Sequence, residues 1–354
     1  HISLSNALNR TLAENLPSLV DDPAFDNSAM DGWAVRISDK SRKETGITAA
    51  GESPPILESG EAIRIMTGAP IPSGADAIVL IEDGIDGHAH PNFIRRRGEN
   101  FQKGSITLRS GHLMTPASIS LAATMGYEKI PVFSKPRVAV ISTGNELVRP
   151  GTPLQIGQIY ESNSFGLCAL LEKNGCIPIH YPNISDSITE LREILNDIEC
   201  DVILTSGGVS MGEFDHVRKL MEEEGEILFW KVPMRPGGPP LFARWKGTPL
   251  FGLPGNPVSS HVVFLTLVAP WLNPATPLTR KARVRLKCDV KGAPGKVCLR
   301  RIHIEQDGDE LSATILTHQG SGNIHSMVAH NGLTLLPADI DGQQGDIIDA
   351  LLLM

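Results

Sequence analysis

The sequence predicts a multidomain α/β protein, and three observations support that fold class. The chain has 354 residues, enough for about two to four domains. Between residues 137 and 271, strand-like apolar runs alternate with helix-like segments, which indicates βαβ units and a mostly parallel sheet. On either side of this block, short β-patterned runs indicate smaller, mostly β domains.

The N-terminal part is expected to contain a discontinuous domain. Residues 1–26 carry a predicted helix over 4–14, and residues 99–135 carry a predicted helix over 115–125 followed by a short strand. We expect these two segments to pack together as one α+β domain.

Two further domains are predicted to be mostly β, one at residues 27–98 and one at residues 281–354. The first is rich in glycine and proline, and the second follows a proline-rich linker, residues 273–277. The predicted strands cover residues 34–37, 62–66 and 77–81 in the first domain, and 282–286, 297–304, 311–316, 332–336 and 346–353 in the second.

The domain at residues 136–275 is expected to hold the parallel sheet. Its predicted strands cover residues 137–142, 177–181, 201–205, 227–230 and 249–253. Its predicted helices cover residues 163–173, 187–198, 213–224 and 258–271. In such sheets the binding site lies outside the carboxyl ends of the strands.

Composition limits the classes of function. The formal net charge of −8 and the pI of about 5.8 argue against a nucleic-acid binder that works by bulk charge. No apolar run reaches the roughly 18 residues that a membrane span needs. The five cysteines form no C-x-x-C pair, which favours reduced thiols in the cytoplasm over a disulfide framework. We therefore expect a cytoplasmic protein with neither nucleic acid nor a membrane as its partner.

The most informative stretch is the glycine-rich segment 205–215, which follows an apolar strand and opens a helix. Its glycines let the backbone approach a ligand closely, and a helix start offers free N–H groups to an anion. Asp215 adds a carboxylate beside that anion site, which suggests a phosphate held with a hard metal ion, usually Mg²⁺. Taken alone, such a segment is about equally often only a turn. The residues of interest are Ser206, Gly207, Gly208, Ser210 and Gly212.

Polar loops follow the other predicted parallel strands. Glu146 lies in the loop after the first strand, and Asp186 lies after the second. The loop after the last strand contains Pro254, Gly255, Asn256 and, at the start of the next helix, Ser259. Carboxylates that face glycine loops suit a Mg²⁺-bridged phosphate. Each acid could instead cap a helix, and for Asp186, which precedes Ser187, both interpretations stay open.

Three other segments carry candidate residues. The loop 233–240 is stiffened by prolines, among them Pro236 and Pro239, and Arg235 offers a bidentate fork to an oxyanion. The alternative is a plain structural turn. In the N-terminal half, the runs 25–35 and 65–72 contain Asp31 and Thr67, and their small polar residues do not read as core.

The order of these motifs resembles the MoeA/gephyrin E-domain family, the molybdopterin molybdenumtransferases, over nearly the entire chain. The matching runs are 25–35, 65–72, 95–99, 142–147, 157–160, 206–215 and 252–259. The resemblance implies four domains: a discontinuous elongated domain, a small β domain, a MogA-like α/β domain and a β-barrel-like C-terminal domain.

The resemblance also implies an activity in molybdenum cofactor biosynthesis. Members of the family take adenylylated molybdopterin, supplied by a MogA-like adenylyltransferase, together with molybdate. They insert molybdenum into the dithiolene and release AMP in a Mg²⁺-dependent step. They act as homodimers, with each site formed by the α/β domain of one subunit and the small β domain of the other.

Site residues are carried over by position. Asp31, Thr67, Glu146, Asp186 and Asp215 match catalytic positions, and Glu146 and Asp215 are the candidates for organising the metal. The expected substrate-binding residues are Ser206, Gly207, Gly208, Ser210, Gly212, Arg235, Pro236, Pro239, Pro254, Gly255, Asn256 and Ser259. No side-chain nucleophile has a neighbouring base in the sequence, so no covalent intermediate is predicted.

Three positions depart from the family pattern. Asn100 and Asn145 stand where many relatives have aspartate, and Gly238 stands where the family's loop has lysine. Losing that lysine should weaken molybdate binding. A divergent paralogue that binds pterin or nucleotide as a carrier or scaffold is therefore the alternative function. An unrelated phosphate-binding α/β enzyme is the third hypothesis.

Overall fold

A computed structural model describes residues 1–210 and 215–354 of the chain. They fall into two units, His1–Phe133 and Ser134–Met354. No helix in the described part of the chain is both long and apolar enough to cross a membrane.

The first unit is built mainly from short strands. These are β1 (Ile2–Ser3), β2 (Leu16–Pro17), β3 (Asn27–Ser28), β4 (Gly32–Val35), β5 (Lys43–Thr48), β6 (Glu61–Ile65), β7 (Ala77–Leu80), β8 (Ala89–His90), β9 (Ile94–Arg95), β10 (Ile106–Leu108) and β11 (Lys129–Ile130). The helical elements are α1 (Pro116–Thr124) and the 3₁₀ turns Leu4–Asn6, Ile81–Asp83 and Pro91–Phe93.

A five-stranded sheet in the order β5-β6-β4-β7-β8 forms the small β part of this unit. Alternate residues of β4 serve cores on opposite faces: Trp33 and Val35 pack on one side, and Ala34 packs on the other. Gly32 is required where β4 and β7 approach, because a Cβ there would lie 1.9 Å from the carbonyl oxygen of Val79. The strands predicted at 34–37, 62–66 and 77–81 are therefore present, with small shifts at their ends.

Chain segments from both ends of the first unit pair with one another. β1 is antiparallel to β11, and β2 is antiparallel to β10. Ala7 and Leu12 from the start of the chain share a core with Met114 and Met125. The fold class predicted for these segments, a discontinuous α+β arrangement, is thus present in the structure.

The prediction of a helix over residues 4–14 was wrong. Only Leu4–Asn6 forms a 3₁₀ turn, and Asn9 has a left-handed φ of 59°. The N–H groups of Asn9 and Leu12 donate to the carbonyls of Met114 and His112. These N–H groups bond to residues distant in sequence, so they are not available for the hydrogen bonds of a helix. The helix predicted over 115–125 is confirmed as α1, which begins with a capping box between Thr115 and Ser118.

The second unit contains two sets of strands. The first set is β12 (Arg137–Ser142), β13 (Leu147–Val148), β14 (Ile159–Tyr160), β15 (Ile177–His180), β16 (Val202–Ser206), β17 (Glu226–Trp230), β18 (Met234–Arg235), β19 (Leu241–Trp245) and β20 (Thr248–Leu253). The second set is β21 (Thr279–Leu286), β22 (Val297–Cys298), β23 (Arg301–Asp307), β24 (Glu310–Thr314), β25 (Gly332–Thr334) and β26 (Ile347–Leu353).

The helices of this unit are α2 (Asn163–Lys173), α3 (Ile188–Asp197), α4 (His216–Glu223), α5 (Pro257–Val263), α6 (Ala269–Leu272) and α7 (His325–Val328). A π-helical segment, Phe264–Val268, joins α5 to α6. Pro270 explains this segment, because proline has no N–H and its ring crowds the carbonyl four residues earlier. The N–H of Ala269 accordingly donates five residues back, to Phe264.

The main sheet has the order β15-β12-β16-β20-β19-β17. β15, β12, β16 and β20 are parallel, whereas β19 and β17 add antiparallel strands at one edge. One face packs against α2 and α5, and the other packs against α3 and α4. The predicted mostly parallel α/β domain is confirmed, although β19 was missed.

β21, β24, β23, β25 and β26 close into a barrel. Its interior is lined by residues such as Val284, Leu286, Ile302 and Ala350. The predicted barrel-like C-terminal domain is therefore confirmed.

Candidate active site

The carboxyl ends of three neighbouring strands lie level with one another. Ser142 at the end of β12 is the register partner of Ser206 at the end of β16, and Ser206 is the partner of Leu253 at the end of β20. The loops that follow these strands therefore leave the sheet at one edge. This edge is where an open parallel sheet offers a binding site.

The glycine loop after β16 is shaped by close contacts with the loop after β12. Gly207 and Gly208 have φ values of 98° and 70°, which favour glycine. A Cβ on Gly207 would lie 2.8 Å from the carbonyl oxygen of Thr143. The carbonyls of Val209 and Ser210 accept hydrogen bonds from the side chains of Trp230 and Arg218. The predicted residue Gly212 lies outside the described residues.

The loop after β20 lies against the glycine loop. A Cβ on Gly255 would be 3.7 Å from the Cα of Gly207, and the N–H of Gly207 donates to the carbonyl of Leu253. Asn256 is the N-cap of α5, and Pro257 follows at its first position. Ser259 is buried in the first turn of this helix.

Glu146 carries an available carboxylate at this edge. Its Oε2 would lie 2.5 Å from a Cβ on Gly144, so the side chain folds over a position where only glycine fits. Among residues 1–210 and 215–354, no hydrogen bond or ion pair engages this carboxylate. A cation could therefore bind it without displacing a protein partner.

Asp186 is not the cap of α3. Ser187 occupies the N-cap position, and its Oγ accepts a hydrogen bond from the N–H of Glu190. Asp186 instead accepts from the backbone N–H of Asn145 at 3.3 Å. The sequence left open whether Asp186 is only a helix cap, and the structure excludes that role. The hydrogen bond from Asn145 joins the loop that carries Glu146 to the loop that carries Asp186.

Asp215 occupies the N-cap position of α4 and is 9% exposed. Its side chain makes no capping hydrogen bond to the described helix. The neighbouring turn is linked to the glycine loop, because the N–H of Arg218 donates to the carbonyl of Gly208.

The described residues do not by themselves form a metal site at this edge. Within the described ranges, no group of three or more His, Cys, Asp or Glu side chains is placed to hold an ion. Mg²⁺ commonly takes one or two carboxylates and completes its shell with substrate phosphates and water. The partner-free carboxylate of Glu146 fits that mode of binding.

The loop that carries Arg235 borders a basic cavity of about 730 Å³. β18 pairs with β22, and the N–H of Leu299 donates to the carbonyl of Arg235. The prolines Pro236 and Pro239 line the cavity together with the residues Ser210, Lys231, Arg235, Gly238 and Lys296. The cavity therefore joins the glycine loop to a set of cationic side chains suited to an oxyanion.

Arg301 was missed by the sequence analysis. It is 1% exposed, and its Nε and Nη2 donate to Ser326 Oγ and to the carbonyl of Gly320. In the described part of the chain no carboxylate pairs with it, and burial lowers the pKa of its guanidinium to about 10. Local sequence gives no sign of this burial, because it depends on the barrel packing around Arg301.

Arg235, Arg300 and Arg301 all act on Cys298. Burial raises the pKa of the Cys298 thiol, and the positive charges of Arg300, Arg235 and Arg301 oppose that shift. The carbonyl oxygen of Gly320 accepts a hydrogen bond from Arg301. The carbonyl oxygen of the next residue, Ser321, accepts one from the N–H of Val258. Arg301 is therefore connected to the first turn of α5, which follows the loop after β20.

Asp31 and Thr67 meet in the first unit. The N–H and Oγ1 of Thr67 donate to Asp31 Oδ1 at 2.6 and 2.8 Å. These hydrogen bonds hold the pKa of Asp31 below its usual value. The runs 25–35 and 65–72 are thus joined by hydrogen bonds between Asp31 and Thr67.

Asn100 also has a partner in the first unit. Its Nδ2 donates to Asp22 Oδ2 at 2.8 Å. An aspartate at this position could not donate that hydrogen bond, so the amide suits the acid that faces it.

Comparison with known proteins assigns most of the chain to recognised regions. Residues 1–126 match the MoeA N-terminal region (domain I and II), residues 139–274 match the probable molybdopterin binding domain, and residues 283–353 match the MoeA C-terminal region (domain IV). The resemblance drawn from the motifs is thereby confirmed.

Similar proteins cover most of the chain. The molybdopterin molybdenumtransferase of Haemophilus influenzae is 42% identical over 288 residues, covering 76% of this chain and 71% of that protein. Molybdopterin molybdenumtransferase 2 of Mycobacterium tuberculosis is 36% identical, and the match covers 96% of this chain and 91% of that protein. The crystal structure of the molybdopterin biosynthesis MoeA protein from Pyrococcus horikosii aligns with a TM-score of 0.84 at 31% identity, covering 99% of this chain and 93% of that one.

Proposed function

Because this chain belongs to the MoeA family of molybdopterin molybdenumtransferases, we propose that it inserts molybdenum into adenylylated molybdopterin and releases AMP with Mg²⁺. The observation that carries the proposal is the contact between the loops at Gly207 and Gly255, together with Thr143 against Gly207 from the loop that also carries Glu146. Its named relatives support molybdenum cofactor biosynthesis as the process it serves.

The two loops would bind the phosphates of the adenylylated substrate. Gly207 and Gly208 have positive φ values, and a side chain on either would crowd Thr143 in the neighbouring loop. Close approach of backbone N–H groups to a phosphate is the common use of such glycines. Gly255 and Asn256 extend the same surface at the start of α5.

Glu146 and Asp215 would hold Mg²⁺. The ion would neutralise charge that develops on the phosphate oxygens as the adenylate is cleaved. Asp186 would act beside it, since it is hydrogen-bonded to the loop that carries Glu146.

The basic cavity would hold molybdate. Arg235 replaces one lysine of the family's loop, and Lys231 and Lys296 line the same cavity as Gly238. The loss of a lysine at 238 therefore leaves a cationic site. This supports a transferase over the alternative of a carrier that binds pterin without turnover.

We further propose a cytoplasmic homodimer. Asp31 and Thr67 would complete the site of the partner subunit, as the family resemblance implies. The cytoplasm is supported by five cysteines that form no disulfide among the described residues.

The direct test is AMP release. The purified protein is incubated with adenylylated molybdopterin and molybdate, with Mg²⁺ or with EDTA, and AMP and protein-bound molybdenum are measured. The Haemophilus influenzae relative serves as the positive control. We expect AMP and molybdenum insertion only with Mg²⁺. Tight substrate binding without AMP, while the control turns over, would instead support the carrier.

A further inference from the structure

The segment at the start of α2 contacts the ends of β12 and β16 and the loop after β20. We call residues Glu161, Ser162, Asn163 and Ser164 the anchor segment. It follows β14 and occupies the first turn of α2. None of its residues is among the family positions carried over from the sequence.

Asn163 joins the two substrate loops. Its Nδ2 donates to Ser206 Oγ at 2.8 Å and to the carbonyl oxygen of Gly255 at 2.8 Å. The amide cannot be turned over, because its oxygen would then face the oxygen of Gly255. Its Oδ1 is buried and accepts no hydrogen bond from the described residues. The side chain therefore acts through its two N–H donors.

Glu161 fixes the anchor segment to the end of β12. It is 5% exposed, and its carboxylate accepts hydrogen bonds from Ser142 Oγ at 2.9 Å and from Ser164 N at 2.8 Å. Ser164 Oγ donates to Glu161 Oε2 at 2.5 Å and also contacts His180 Nε2 at 2.7 Å. A buried carboxylate with this many partners holds its neighbours firmly.

Ser206 ends β16 directly before the glycine loop, and Gly255 lies in the loop after β20. Gly207 and Gly208 lack side chains that could pack, and glycine leaves the backbone freer than other residues do. The two N–H groups of Asn163 therefore hold the spacing between the loops on which phosphate binding depends.

We propose that Asn163 is a positioning residue for the adenylylated substrate, acting through Ser206 and Gly255. This inference rests on the proposed function. It predicts that the loops lose their relative placement when the amide is removed. The adenylylated substrate should then bind more weakly, while molybdate, which uses the basic cavity, should be unaffected.

Asn174 provides a matched control at the other end of α2. It is buried, and its Nδ2 donates to the carbonyls of Thr276 and Asn273. Like Asn163, it donates two hydrogen bonds through Nδ2, but it joins the end of α2 to residues 273–276 and not to the loops of the site. Asn163→Ala, the isosteric Asn163→Asp and Asn174→Ala are compared with the wild type.

The kinetic test separates the two substrates. In both Asn163 variants we expect the KM for adenylylated molybdopterin to rise about ten-fold, with the KM for molybdate unchanged. Asn174→Ala should lower the melting temperature and leave both KM values at their wild-type levels. Unchanged KM values in folded Asn163→Asp, or equal increases for both substrates, would overturn the proposal.

A second measurement does not depend on activity. Amide hydrogen exchange is followed by mass spectrometry in peptides that cover residues 206–210 and 253–256. We expect about five-fold faster exchange there in the Asn163 variants and no change in Asn174→Ala. Wild-type rates in these peptides would refute the positioning role. A wild type that fails to release AMP would refute the proposed function, and the exchange data would still decide the role of Asn163.

Discussion

Asn145 and Asp186 hold each other through reciprocal hydrogen bonds. The N–H of Asn145 donates to Asp186 Oδ2 at 3.3 Å, and the N–H of Asp186 donates to Asn145 Oδ1 at 3.1 Å. Of the polar atoms in the Asn145 side chain, only Oδ1 takes part in these hydrogen bonds. An aspartate, as in many relatives, could accept the same hydrogen bond. The amide therefore changes the charge near Glu146 without changing the connection between the two loops.

Restoring the aspartate should strengthen metal binding. We expect Asn145→Asp to lower the Mg²⁺ concentration for half-maximal AMP release by about two- to three-fold, because an exposed charge acts weakly. Gln158→Glu is the control, since the oxygen of Gln158 also accepts a backbone N–H, from Gln155. An unchanged Mg²⁺ requirement in Asn145→Asp would count against a metal at this edge.

Glu146→Gln should separate activity from stability. The carboxylate has no partner among the described residues, so we expect the free energy of unfolding to stay within about 0.5 kcal/mol of the wild type. The kcat for AMP release should fall by about a hundred-fold, because charge on the phosphate would no longer be neutralised. Urea unfolding and steady-state kinetics measure the two quantities. A variant with wild-type kcat would exclude Glu146 from the metal site.

Gly238→Lys should increase molybdate affinity. A Cβ at this position would lie 3.2 Å from the carbonyl oxygen of Met234, so a small local shift is needed. The added charge should lower the KM for molybdate by about three-fold and leave the KM for the pterin substrate unchanged. Gly46→Lys in β5 adds the same charge with only Pro55 nearby. If both variants behave alike, the charge acts through the net field of the protein and not through the cavity.

Mixed dimers test whether two subunits share a site. Asp31→Asn and Asp215→Asn are each expected to inactivate the homodimer. When the two variants are unfolded together and refolded, a shared site predicts recovery of about a quarter of wild-type activity, because half of the dimers then carry one intact site. Size-exclusion chromatography with light scattering verifies the dimer. Recovery no greater than the sum of the two homodimers would mean that one subunit supplies both residues.

Acid stability should depend on the contact between Thr67 and Asp31. Hydrogen bonds from Thr67 lower the pKa of Asp31 in the folded protein, relative to about 3.9 in an unfolded chain. The resulting stability is present above the unfolded pKa and is lost as the pH falls through the folded pKa. Thr67→Val removes one of the two donors, so the variant should lose less stability between pH 6 and pH 3 than the wild type (about the range in which this carboxyl titrates).

Urea unfolding across that pH range measures the difference. Thr124→Val is the control, since Thr124 Oγ1 donates to the backbone carbonyl of Ser120 and to no acid. Parallel pH profiles for Thr67→Val and the wild type would contradict the expectation.

Local patterns in the sequence were sufficient for the elements with strong periodicity. The strand at 137–142 and the helix at 163–173 were predicted with the bounds that the structure has. β19 was missed although Leu241, Ala243 and Trp245 alternate as buried residues. The helix at 4–14 failed because its backbone pairs with residues far along the chain.

The site was predictable only where glycines, acids and prolines mark it. The Gly207 and Gly255 loops carry such marks, and the structure brings them into contact. Asn163 and Arg301 carry none, since their roles depend on partners that are distant in sequence, such as Gly255 and Ser326. Burial and long-range hydrogen bonding are properties of the packed chain, and one sequence does not display them.

Arg301 makes the second unit sensitive to the loss of two neutral hydrogen-bond acceptors. Its positive charge lies inside the second unit with only neutral oxygens as partners in the described residues. If Ser326 or Gly320 were displaced, this charge would stay inside the protein with one acceptor fewer, and an uncompensated buried charge strongly favours unfolding.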